Sequence, residues 1–265
     1  MDSRTILISL AIKFSGNWDA IFQALEKKEQ PDEAEAKRLL KKVKSKCITC
    51  LDEEYPESLK RVFRPPFVLF YEGDISLLSD KNNKIAVIGS RKYSEYGEEV
   101  TRKLVKAISK DFVVISGLAL GIDSIAQSSA IESGGRTIGV LGNGLNTYYL
   151  KENEELFDEC RKNHLVISEY PDDVPPSPFN FPVRNRIIAG LCENLLITEG
   201  KTNSGTSITA MLMLQKNGNI CCVPTRVGEQ SICNHLISLG AYLVETPEDI
   251  YHIAKVPIKK PVFEK

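Results

Sequence analysis

At 265 residues, 42% hydrophobic and 26% charged, the chain has the makings of one large globular core, alone or with a small accessory domain. A formal net charge of -1 excludes a globally basic nucleic-acid binder but not a local basic groove, because a partner responds to the nearby potential. No apolar run reaches membrane-spanning length and the N-terminus lacks the order of a signal peptide, so a soluble, cytoplasmic protein with no membrane partner is expected.

Residues 1–46 read as a helical N-terminal region. "RTILISLAIKF" and "WDAIFQAL" carry apolar residues at helical spacing, and "PDEAEAKRLLKKVKSK" starts on proline and finishes on lysines. Residues 47–79 read as an irregular connecting segment, with a short strand candidate at 67–71 and turn chemistry at Gly73-Asp74. Cys47 and Cys50 form the one Cys-x-x-Cys pair among seven cysteines, with no second pair at zinc spacing. Reduced thiols are expected, with neither metal nor cofactor.

From 80 to 254 the pattern becomes strand, then helix, repeated. Short apolar runs at 84–90, 112–117, 136–142, 164–170, 194–200, 219–224 and 241–244 alternate with helical intervals such as "GEEVTRKLVKAISK". That alternation predicts an α/β fold, a mostly parallel sheet with helices on both faces. Residues 255–265 are left as a C-terminal tail. Ligands of such sheets bind beyond the carboxyl ends of the strands, and four of the first five strand ends here carry glycine with serine or asparagine. Those residues let backbone amides approach an anion closely.

Three of these strand ends carry the chemistry. "GNGLNT" has Gly142 and Gly144 of a dinucleotide fingerprint, but Thr147 takes the third glycine position and the run follows the third strand rather than the first. "TNSGTSITA" opens a helix with Ser204, Gly205, Thr206 and Ser207, a pattern that caps a helix or holds a phosphate, and Lys201 lies just upstream. Gly89-Ser90-Arg91 sets a cation at a strand end with Lys92 beside it, where Arg91 can meet an anion or pair with Asp123 or Glu199. Catalytic groups are scarce: none of the three histidines falls in these loops, and Ser116 lacks a nucleophile-elbow turn.

Taken in order, "IAVIGSRKYSEYG", "VVISGLALGID", "GGRTIGVLGNGLNTYYLKEN", "LVISEYP", "FPVRNRIIAGL", "SGTSITAMLMLQKNGNICCVP" and "CNHLISLGA" resemble the DprA/Smf family (DNA processing protein A) over about residues 48–246. The resemblance implies a Rossmann-like core that binds single-stranded DNA in a positive pocket, forms a homodimer and loads the recombinase RecA during natural transformation. It implies DNA-binding roles for Arg91, for Phe181, Arg184, Asn185 and Arg186 of "FPVRNR", and for Ser204 and Gly205; Lys92, Gly142 and Lys201, read from the strand-end loops themselves, complete the expected DNA-binding set. The N-terminal helices read as a reduced form of the family's SAM-like module, and no winged-helix domain is expected before Lys265. Four positions depart from the family pattern: Leu120 replaces an arginine, Gln127 a histidine, Tyr149 a proline and Thr225 a glycine. Asp172 and Asp173 are expected near the pocket, where they would weaken anion binding.

Three functions compete: a non-catalytic single-strand binder, a nucleotide-binding enzyme or sensor of the N-glycosidic hydrolase type using Glu199, and a protein scaffold with a vestigial pocket. The first is preferred, and the protein is not expected to be an enzyme. Residues two apart on a helix are rotated by about 200°, so Arg184 and Arg186 are expected to divide their work. Arg184 would face DNA, and Arg186 would be held inside by a carboxylate such as Glu169.

Overall fold

Asp2, Asn17 and Asp32 each accept a backbone N–H three residues on, at 2.8, 3.0 and 2.7 Å. These N-caps open α1 (Ser3–Lys13), α2 (Trp18–Glu26) and α3 (Glu33–Leu40) in a computed structural model that describes residues 1–148 and 150–257. Tyr149 and most of the expected tail, 258–265, lie outside the described residues. Leu7, Leu10 and Ala11 of α1 share one apolar cluster with Val68, Phe70 and Val166, so the N-terminal helices pack directly on the sheet.

The connecting segment is more regular than its sequence suggests. It forms β1 (Lys46–Thr49), α4 (Glu57–Lys60) and β2 (Val68–Gly73). β1 pairs antiparallel with β2, which pairs antiparallel with β6 (Leu165–Ser168). Lys46–Thr49 has too few residues for a two-residue alternation to be read, and its strand character comes from its partner.

The expected apolar runs form β3 (Lys84–Ile88), β4 (Val113–Ser116), β5 (Arg136–Leu141), β6, β7 (Asn194–Ile197), β8 (Asn219–Cys222) and β9 (Tyr242–Leu243). All seven are parallel, and the nine-stranded sheet runs β1-β2-β6-β5-β4-β3-β7-β8-β9. Side chains alternate across it. Ile85 and Val87 meet Leu104 and Val105 of α5 (Glu95–Ile108) and Ala126 of α6 (Ile122–Glu132) on one face. Ala86 and Ile88 meet Ile187 and Ile188 of α8 (Asn180–Gly190) and Ala210 and Met213 of α9 (Gly205–Gln215) on the other. Helices α7 (Glu154–Asn163), α10 (Ile232–Ser238) and α11 (Pro247–Ala254) complete the two layers. The result is the expected Rossmann-like α/β fold with a small helical N-terminal region. No helix among the described residues is long and apolar enough to cross a membrane.

Candidate nucleic-acid interface

From β3 the chain steps outward through β4, β5 and β6, then returns to lay β7 on the other flank of β3. The loops leaving β3 and β7 therefore diverge, and a crevice at such a reversal is where open parallel sheets take ligands. A cavity of about 610 Å³ lies here. Ser90, Arg91 and Lys92 line it from the β3 loop, Lys201, Asn203, Ser204 and Gly205 from the β7 loop, and Phe181, Arg184 and Asn185 from α8.

Local bonding fixes these loops. Ser90 donates its amide to the Glu199 carbonyl at 2.8 Å, tying the β3 loop to the β7 loop. The Glu199 carboxylate accepts from the Ser94 amide (3.0 Å) and hydroxyl (2.8 Å), which occupies it at the start of α5. Ser204 donates its hydroxyl to the Lys201 carbonyl at 2.7 Å, and its amide to Ser207 Oγ at 3.2 Å. Helix α9 thus opens at the cavity wall; the Ser204 carbonyl takes the Ser207 amide at 3.1 Å, and the Gly205 and Thr206 amides before it bring the positive end of the helix dipole there.

Arg91 and Lys92 are exposed, as is Lys201, and none of the three makes an ion pair with a described carboxylate. The Arg91 guanidinium lies 5.6 Å from the Phe181 ring centroid, close enough for a cation–π contact. Phe181 in turn rests on Gly142, where a Cβ would stand 2.8 Å from the ring edge. A side chain at 142 would push Phe181 off its seat.

The two arginines of α8 have separate surroundings. Arg186 is 6% exposed and grips both Glu169 oxygens at 2.7 and 2.6 Å. It also donates to the carbonyls of Arg64 and Val183, both at 3.0 Å. Burial pulls its pKa down, but hydrogen bonding to Glu169 and the Glu169 charge outweigh that and leave it raised. Arg184 is 5% exposed and forms the cavity floor, donating to Gly117 O at 2.9 Å and to Val140 O. Gly117 has no room for a side chain, since a Cβ would stand 2.7 Å from both Arg184 Nη2 and Asp123 Oδ2. Burial pushes the Arg184 guanidinium down to about 10, with Asp123 opposing and Arg91 adding to the fall. Burial likewise raises the Asp123 carboxyl against the pull of Arg184.

These loops and their order match a family model described as DNA recombination-mediator protein A over residues 46–255. The chain belongs to this family. It is similar to DNA processing protein DprA of Streptococcus pneumoniae, 39% identical over 228 residues that make up 85% of this chain and 79% of that protein. DprA of Bacillus subtilis is 40% identical, with coverage of 77% and 69%. Among solved structures, DprA of Streptococcus pneumoniae superposes with a TM-score of 0.80 at 34% identity, covering 94% of this chain and 92% of that one. DprA from Helicobacter pylori, solved to show its single-stranded DNA binding mode, gives a TM-score of 0.72 at 28% identity, covering 79% and 95%.

Eight of the expected DNA-binding residues line the cavity together: Arg91, Lys92, Phe181, Arg184, Asn185, Lys201, Ser204 and Gly205. Gly142 lines a small recess beside it, under Phe181. Arg186 does not line it, because its charge is committed to Glu169. The expected acidic pair is also elsewhere. Asp172 is fully buried and accepts the amides of Lys44 (2.7 Å) and Ser45 (3.0 Å), anchoring the end of the N-terminal region. Asp173 accepts from Asn146 at 2.9 Å, and neither acid lines the cavity.

Gln127, where the family has histidine, holds the turn after β4. It accepts the Leu118 amide at 3.0 Å and donates to Thr137 Oγ1 at 3.0 Å, keeping Leu118 at a positive φ of 51°. Thr206, expected as a helix cap or phosphate ligand, lines the cavity and donates its hydroxyl to the Gly89 carbonyl at 3.2 Å. Asn203 also belongs to the lining, and its one signal in the sequence is its position beside the Ser-Gly turn that opens α9.

Proposed function

We propose that the protein binds single-stranded DNA in the cavity between the β3 and β7 loops and does no chemistry there. One observation carries this reading: three exposed cations without carboxylate partners, Arg91, Lys92 and Lys201, surround a helix N-terminus and the Phe181 ring. Phosphates are met by the cations and the α9 amides, with Arg184 adding charge from the floor and Asn185, Ser204 and Gly205 shaping the wall. A base stacks on Phe181, worth about 1–3 kcal/mol. The relative from Helicobacter pylori with a described single-stranded DNA binding mode supports the assignment.

The occupied Glu199 supports binding over bond breaking. A glycosidic hydrolase needs a free carboxylate at the sugar, and this one already serves the start of α5. Following the family resemblance, the finer role is handling incoming DNA in the cytoplasm during natural transformation, as a homodimer that loads RecA. Exposed Tyr242 and Leu243 on the edge strand β9, with exposed Leu239 beside them, support an association of copies.

Titration of labelled oligonucleotides at several salt concentrations tests the binding reading. Preference for single strands is expected, with log affinity falling against log salt by about 0.7 per neutralised phosphate. Equal affinity for duplex and single strand would overturn it. Incubation with nucleoside monophosphates is expected to release no base, and a solution mass measured with and without an oligonucleotide is expected to report a dimer.

A further inference from the structure

Beside the cavity, and outside the residues that line it, the chain displays aromatic rings that a soluble surface normally covers. Phe63 is 75% exposed, Phe22 40% and Phe179 84%. Phe22 belongs to an ordered stack, and Arg64 links Phe63 to it. The Trp18 ring lies 5.0 Å from Phe22 at 11° and 5.2 Å from Phe67 at 22°. Trp18 Nε1 donates to Pro65 O at 2.8 Å, which fixes the indole against the 61–66 segment. The Arg64 guanidinium sits 5.3 Å from both the Trp18 and Phe63 ring centroids. Asp19 holds it there through bonds of 2.9 and 2.7 Å. Arg64 adopts a positive φ of 56°, uncommon for a residue with a side chain. The segment is thus turned in a strained way that leaves Phe63 outward.

This ledge is continuous with the cavity. Leu59 and Val62 pack on Gly190 near the end of α8, and Arg64 lies alongside its first turns, so the segment runs along the helix towards its N-terminus. A single guanidinium, Arg186, donates to both Arg64 O and Val183 O at 3.0 Å. The residues just before Val183, Phe181 and Pro182, line the cavity wall. The N-terminal turns of α8 therefore touch both the phosphate pocket and the segment that carries the ledge.

We propose that a bound single strand continues from the cavity across the first turns of α8 onto the ledge, where its bases stack on Phe63 and the Trp18–Phe22 pair. The proposal rests on the single-strand reading above and extends it to residues outside the cavity. The two surfaces have complementary chemistry. Cations without carboxylate partners in the cavity suit phosphates, whereas the ledge's arginine is neutralised by Asp19 and its exposed rings, Phe63 and Phe22, suit bases of any sequence.

Trp18 is the chain's one tryptophan, so its fluorescence reports the ledge directly. An oligothymidine just long enough for the cavity, about four nucleotides, is expected to bind without changing Trp18 emission. One several times longer should quench it, and the same backbone made abasic should not. Phe63→Ala is expected to weaken the long oligonucleotide by about five-fold or more. It should leave the short one and the melting temperature unchanged, because Phe63 is exposed. Long oligonucleotides that bind the parent while Trp18 stays silent and Phe63→Ala binds equally well would overturn the ledge alone, leaving that face as a protein contact. Failure of every length to bind would overturn the cavity reading, and the ledge with it.

Discussion

At the N-terminal end of the parallel strands lies a cavity of about 740 Å³ lined by Arg61, Lys84 and Lys216; the cavity of about 610 Å³ at the other end is lined by Arg91, Lys92 and Lys201. The larger one has spent its lysines. Lys84 donates to the carbonyls of Leu78 (2.8 Å) and Ser79 (3.1 Å) and to Asp80 at 3.4 Å. Lys216 caps the end of α8 through Ala189 O (3.2 Å) and Cys192 O (2.7 Å), and pairs with Glu193 at 3.0 Å. At the strand carboxyl ends the rim cations have no such partners, and a helix N-terminus joins them. Volume does not distinguish the two ends; the bonding state of the lysines does.

The same contrast exists within α8 and gives the largest expected effect. Arg186→Ala leaves the Glu169 carboxylate buried and unpaired, which costs about 3–5 kcal/mol. Thermal or denaturant unfolding is expected to show that loss. Arg91→Ala, which removes an exposed cation, is expected to melt with the parent. If both variants melt alike, the division between committed and uncommitted arginines is broken.

Binding reverses the order. Arg91→Ala is expected to lose about 1.5–3 kcal/mol of single-strand affinity, roughly ten- to a hundred-fold, from one charge-assisted contact. The slope of log affinity against log salt should fall by about 0.7 as one phosphate contact disappears. Arg184→Ala is expected to lose both binding and stability, since that side chain forms the cavity floor and also satisfies the carbonyls of Gly117 and Val140. An Arg184→Ala protein that binds normally would remove Arg184 from the interface.

How much of this was legible in sequence depends on the range of the contacts involved. The seven parallel strands were readable because each is a short apolar run bounded by turn residues. The cavity loops were readable because glycine and serine at strand ends have a local reason to be there. The opposed directions of Arg184 and Arg186 followed from helical geometry alone. Asp172 was misplaced because its partners, the amides of Lys44 and Ser45 and the Ser45 hydroxyl, lie 128 and 127 residues away, beyond the reach of any local pattern. The burial of Arg184 was hidden for the same reason: its acceptors are main-chain carbonyls at the ends of two other strands. Composition also missed β1, whose pairing with β2 is long-range and whose four residues show no period.

The smallest effect tests the N-terminal end of the sheet. Lys84→Met removes an ammonium that burial already disfavours, so its pKa lies below the usual lysine value of 10.5 despite Asp80. Single-strand affinity is expected to stay that of the parent, because the cavity that Lys84 lines is at the far end of the strands from Arg91. At neutral pH the lost bonds to Leu78 and Ser79 should cost about 1–2 kcal/mol. The sign with pH follows from linkage. Between the folded-state pKa and 10.5 the unfolded chain holds the proton that the native lysine has released, so native stability rises with pH. The parent should therefore gain on Lys84→Met as pH climbs towards 10.5, and the gap between their unfolding free energies should widen. A constant gap would mean that Lys84 keeps an ordinary lysine pKa and that its burial carries no electrostatic cost. A loss of DNA affinity in the same variant would couple the two ends of the sheet and break the contrast between them.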